Sequence, residues 1–142
     1  MIPETIRSAM SKQRPIVERP SEQLTAVQES LMELGLLEHN QVREFFETYR
    51  LGPVLSNQHT ELLDLCSPTR QFAEATGFGR DTYRITDNFV CLTSGEGEGF
   101  ILYSISDCKI YDVSVSELDD LEKGKVEPRW DSFFDLIEWY LK

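Results

Sequence analysis

Between Phe89 and Val115, three apolar runs (FVCLT, FILYSI and KIYDVSV) are separated by short stretches of glycine, serine, glutamate and aspartate. Val, Ile, Phe, Tyr and Thr dominate the runs. Such side chains pack well on a pleated surface, and the intervening residues are turn formers. The pattern predicts an antiparallel meander. Its first loop, Ser94–Gly99, alternates three glycines with Glu96 and Glu98, so two carboxylates stand at a hairpin tip whose glycines permit positive φ. A small sheet of this kind needs helices to cover it, which sets the search along the rest of the chain.

Helical spacing appears on both sides. Ser21 after Pro20 reads as an N-cap, Leu24, Val27, Leu31 and Leu34 follow at three- and four-residue steps, and Gly35 closes the helix. A second helix opens at Asn40, places Val42, Phe45, Phe46 and Tyr49 on one face, and stops at Gly52-Pro53. Ser67-Pro68 reads as a cap and first helical residue, with Phe72 inward and Gly77 ending a short helix. Tyr83–Thr86 reads as a first strand. Ser116–Glu127 is an acidic loop with a helical turn around Leu118 and Leu121. The C-terminal segment is an amphipathic helix with Trp130, Phe133, Phe134, Ile137 and Leu141 on one face, and Trp139 projects roughly opposite Trp130. The expected fold class is therefore α+β: an antiparallel meander flanked by N-terminal helices and a C-terminal amphipathic helix. Met1–Pro20, with three prolines and no sustained apolar period, reads as a tail or linker outside a single domain at 21–142.

Charge narrows the partners. The chain of 142 residues has a net charge of −11, yet residues 1–20 hold four basic and two acidic side chains, leaving −13 on the body. This is the wrong sign for nucleic acid or anionic membrane, and it suits either solubility or the steering of basic proteins. Cys66, Cys91 and Cys108 are odd in number and lack a CxxC spacing, which points to a reduced, cytoplasmic setting. No leader-like apolar stretch and no run of transmembrane length is present.

No catalytic constellation emerges. His59 and Cys66 could form a base and thiol nucleophile, but no strand-to-helix elbow or third group supports the pair. Glu96, Glu98, Asp87 and Asp107 could gather near the hairpin ends around a hard cation, yet they lack the spacing of a calcium loop. The glycines at 95, 97 and 99 lie between strands, so no helix N-terminus is there to receive a phosphate. The expectation is no catalytic residue, no metal and no cofactor. Glu96, Glu98, Asp119, Asp120, Glu122 and Trp139 are the candidate partner-binding residues: the carboxylates as an acidic contact surface, Trp139 as an aromatic anchor.

Three stretches, Glu33–Gly52, Asn88–Val113 and Arg129–Leu141, resemble in their order the SUKH superfamily of Smi1/Knr4-like domains. The matching features are an early helix–turn–helix ending in glycine, a central hairpin with an acidic glycine turn, and a closing helix with an aromatic pair. The chain departs from the family in having Leu37-Glu38 before the second helix, where Leu-Pro is usual, and Arg50-Leu51-Gly52-Pro53 after it. The resemblance implies a curved antiparallel sheet flanked by helices. It also implies a non-enzymatic immunity protein, a monomer or weak dimer, that neutralises a cognate polymorphic toxin, often a nuclease or deaminase. A small acidic secretion chaperone and a Smi1/Knr4-like regulatory scaffold are the alternatives.

Overall fold

The computed structural model describes residues 1–66, 69–95 and 97–142. Among these, the elements run α1 (Glu4–Ser11), α2 (Leu24–Leu34), α3 (Asn40–Thr48), α4 (Gln71–Tyr83), β1 (Phe89–Cys91), β2 (Gly99–Ser104), β3 (Ile110–Ser114), α5 (Leu118–Glu122) and α6 (Phe133–Tyr140). The sheet has the order β1-β2-β3 with both pairs antiparallel, so the fold is α+β around a meander. The register places Cys91 opposite Leu102 and Ile101 opposite Asp112.

Alternation along the strands divides the interior in two. Val90, Ile101, Tyr103 and Ile110 point into a large core built with α1, α2, α3 and α6. Phe89, Cys91, Phe100, Leu102 and Val113 point to a smaller core completed by Ala75, Ile85 and Leu121. A strand with period-two side chains can serve both faces only when each is covered, and here helices cover both.

The first twenty residues are not a detached tail in the packing. Ile2, Ile6, Met10 and Val17 are all at most 3% exposed and belong to the large core. Their spacing of four (2, 6, 10) is helical, and α1 begins directly after Pro3, so the prolines flank a helix instead of interrupting it. α1 packs against α6, which explains why Leu136 and Tyr140 are buried in addition to the Phe133, Phe134 and Ile137 face.

Other boundaries also move. α2 ends at Gly35 with φ +75°, and Leu36 N–H donates to the Leu31 carbonyl at 2.7 Å in a Schellman-type closure. Its start is a 3₁₀ turn at Ser21–Gln23, and the Ser21 hydroxyl bonds Glu22 instead of capping the helix. α3 stops at Thr48 because Tyr49 is extended and bridged to Glu18. Gly77 and Gly79 lie within α4, which continues to Tyr83. Arg84 then terminates it in a left-handed conformation, so Tyr83–Thr86 is a helix end and not a strand. The cap expected at Ser67-Pro68 falls outside the described residues.

A buried ion pair locks the N-terminal segment in place. Arg19 and Asp64 side chains are both 0% exposed and 3.0 Å apart. The guanidinium also donates to the carbonyls of Phe46 (2.8 Å) and Tyr49 (2.9 Å), closing the C-terminal end of α3. Asp64 in turn accepts from the Leu51 N–H at 2.7 Å.

Candidate interaction surface

The β1–β2 loop reaches the surface beside the edge of the large core. Glu98 is exposed, and its carbonyl accepts from Val115 N–H at 2.9 Å, tying the loop to the end of β3. The loop glycines are not in the left-handed region. A β-carbon on Gly99 would stand 2.7 Å from the Val113 carbonyl oxygen, and one on Gly95 would stand 2.5 Å from the Phe78 ring. Close approach to backbone, not positive φ, requires glycine at position 99, whereas at position 95 the exposed Phe78 side chain would have to move. Glu96 lies outside the described residues.

Glu98 lines a cleft of about 360 Å³ together with His59, Glu61, Thr93, Ile101 and Asp112. Asp112 is directly opposite Ile101 on the face that elsewhere feeds the large core, so the apolar layer ends here and a carboxylate takes its place. Asp112 is ion-paired with Arg129. The Arg129 guanidinium lies 4.4 Å from the Trp130 ring centroid and 4.8 Å from that of Trp139. The two indoles are 4.9 Å apart.

Trp130 and Trp139 are therefore neighbours, not opposed. Trp130 precedes α6 and bridges Ile110, so the helical wheel does not reach it. Trp139 is half-buried, with part of its surface covered by Arg129. A guanidinium over two indoles pre-organises all three groups, and a cation–π contact of this kind contributes about 0.5–2 kcal/mol.

The remaining candidates sit elsewhere. Asp119 and Glu122 line a smaller cleft of about 180 Å³ with Tyr83, Arg84 and Phe89, next to the smaller core, while Asp120 is exposed on the same short helix. The structure thus joins Glu98 to Trp139 through Asp112 and Arg129, and separates them from the acidic stretch at 119–122. Glu98 and Asp107 stand at opposite ends of the six-residue β2. Asp107 accepts from Lys109 N–H and Tyr111 Oη, both at 3.0 Å. Burial pushes its carboxyl up, but these bonds, with Ser104 and Lys109, outweigh burial and hold it below the usual range.

Cys66 and His59, set aside above as a thiol and base, are not joined by a hydrogen bond. Cys66 lies instead by Arg19, with Nη1 to Sγ at 3.5 Å, and burial raises its thiol pKa. His59 lines the acidic cleft. Glu61, Asp112 and Arg129 were not among the residues expected at an interaction surface. A signal for Asp112 exists in the sequence, as a lone carboxylate on the inward phase of an otherwise apolar strand.

Scans against protein-family models, curated proteins and solved structures give no match to this chain. No helix among the described residues is long and apolar enough to cross a membrane.

Proposed function

We propose that this chain is a non-enzymatic binding protein of the immunity type, which neutralises a toxin by occupying a basic face of that partner. The observation that carries the reading is the convergence of Glu61, Glu98 and Asp112 on one cleft of a strongly acidic chain. The resemblance to Smi1/Knr4-like immunity proteins supplies the class of partner. A toxin that acts on nucleic acid has a cationic substrate cleft, and a carboxylate-lined surface competes for it with fast, salt-sensitive association. The Arg129–Trp130–Trp139 stack beside the cleft would act as a rigid aromatic anchor.

The test is association with any toxin-like domain found encoded beside this gene, measured by stopped flow across salt concentrations. Glu61→Lys with Glu98→Lys should slow association by about tenfold or more at low salt and flatten its salt dependence. Protection in co-expression should fall in parallel. An unchanged association rate would remove the cleft from the interface, and absence of binding to any neighbouring product would overturn the immunity reading.

A further inference from the structure

Two clefts share their walls beside the β1–β2 loop. The acidic cleft has His59 and Glu61 on one wall and Thr93 and Ser94 on another. A second groove, of about 330 Å³, uses the same two segments, with Leu63 from one and Ser94 and Gly95 from the other, and is closed by Ala75 and Phe78 of α4. Phe78 is 46% exposed, although its helix packs against β1. Its ring is nonetheless held. It meets Tyr83 edge-to-face with centroids 6.0 Å apart, and Tyr83 meets Phe100 at 5.3 Å. Gly95 lies so close beneath it that a β-carbon there would be 2.5 Å from the ring. We propose, resting on the reading of the acidic cleft as the partner-facing surface, that this groove anchors one large apolar side chain of a partner segment in which Lys or Arg flanks that side chain.

An exposed aromatic ring by itself is ordinary on a protein surface. This one is fixed before any contact, so seating a side chain against it loses little conformational freedom. Leu63, Ala75 and Gly95 give it apolar neighbours, and the volume is near the lower end for a ligand site. The polar groups of the groove already have partners: Gln71 Oε1 accepts from the Asp64 N–H at 2.8 Å, and Glu74 accepts from the Thr69 hydroxyl at 3.3 Å. Charge selects what surrounds the anchored side chain. No Lys or Arg lines either cleft among the described residues. Asp112 is paired with Arg129, but Glu74 in the groove and Glu61 and Glu98 in the cleft form no ion pair among the described residues. Carboxylates to both sides of an apolar spot favour a segment with cations to both sides of its apolar residue. A second copy of this chain is the poorer occupant, because each copy carries −11 and like charges repel.

The two halves of the surface divide the work of binding. Carboxylates act over a distance, so they set the rate of encounter and its salt dependence. The groove acts only in contact, so it sets how long a complex lasts, and apolar burial is not screened by salt. A cationic surface with no apolar side chain at this place is attracted but released quickly, which gives the acidic face its selectivity.

The experiment titrates the full-length protein with two synthetic pentapeptides, lysines around a central leucine or around a central serine, and follows backbone amide shifts by NMR at low and moderate salt. The leucine peptide should bind about fivefold or more tighter than the serine peptide, and that ratio should hold as salt weakens both. Shifts specific to leucine should fall on Leu63, Ala75 and Phe78. Phe78→Ala should bring the leucine peptide down to the affinity of the serine peptide, whereas Glu61→Lys with Glu98→Lys should weaken both. If Phe78→Ala fails to fold, the wild-type ratio and the location of the leucine-specific shifts decide. Equal binding of the two peptides, a ratio that vanishes with salt, leucine-specific shifts elsewhere on the surface, or a leucine preference that survives in folded Phe78→Ala would each overturn the groove and leave the acidic cleft in place. Binding of neither peptide at low salt would remove the cleft as a cation-binding face, and the groove with it.

Discussion

Removing the charge of Asp64 by Asp64→Asn leaves the Arg19 guanidinium 0% exposed and without its counterion. Breaking a fully buried pair by removing one partner costs about 3–5 kcal/mol, because the surviving charge remains desolvated. The structure argues for the upper part of that range. The same carboxylate accepts from the Leu51 and Cys66 N–H groups, and the same guanidinium holds the Phe46 and Tyr49 carbonyls at the end of α3. For a domain of this size, whose total stability is ~5–15 kcal/mol, the loss corresponds to a fall in Tm of roughly 10–20 °C. Urea and thermal denaturation followed by circular dichroism would measure it. The solvent-exposed pair Arg70–Glu33, at 62% and 47% side-chain exposure, is the internal control. Glu33→Gln should cost under about 1 kcal/mol, since both ions are largely hydrated already. The double variant Arg19→Met with Asp64→Leu should recover only the part due to unpaired charge, because the Leu51 and Cys66 N–H groups and the Phe46 and Tyr49 carbonyls still lose these partners. A cost below about 1 kcal/mol for Asp64→Asn would refute the reasoning, because it would mean that the pair is hydrated in solution.

Three further outcomes follow from the packing. Ile6→Ala should destabilise by about 2–5 kcal/mol in the same denaturation assay, as expected for a fully buried core residue and not for a tail. Gly99→Ala should destabilise by about 1–3 kcal/mol, since its β-carbon meets the Val113 carbonyl, whereas Gly97→Ala, with nothing within 4 Å, should change stability by under about 0.5 kcal/mol. Hydrogen bonds from the Ser114 backbone and side chain lower the Glu117 pKa below its usual 4.5. The folded state therefore binds this proton less readily than the unfolded chain. The resulting stability is present above pH 4.5 and is lost as pH falls through the folded pKa, so the Tm difference between wild type and Glu117→Gln should shrink on acidification.

Much of the architecture was legible because its signals are local. The meander follows from β-branched and aromatic runs broken by turn residues; β1 and β3 lie within their runs, and β2 begins one residue before its run, at Gly99. The α2 terminus follows from Gly35, whose φ of +75° an L side chain rarely adopts. The end of α3 was not legible. Tyr49 continues the helical period, but its backbone is engaged by Glu18, and only the approach of a segment thirty residues earlier ends the helix. In the N-terminal segment Ile2, Ile6 and Met10 lie at helical spacing, but three prolines within twenty residues mask that signal, and only burial against the core distinguishes the helix from a linker.

The candidate site divides in the same way. Glu98 and Trp139 were singled out by composition and helical phase, but their connection through Asp112 and Arg129 spans β3 and the segment before α6. The sequence by itself determined the acidic charge, the three strands and the principal amphipathic helices, since each rests on neighbours a few residues apart. Tertiary structure alone decided that Arg19 meets Asp64 and that Trp139 lies beside Trp130. These pairs join backbone segments that no periodicity relates. Their formation depends on which buried charges, rings and polar atoms find partners once the two cores close, and that is a property of the packed chain.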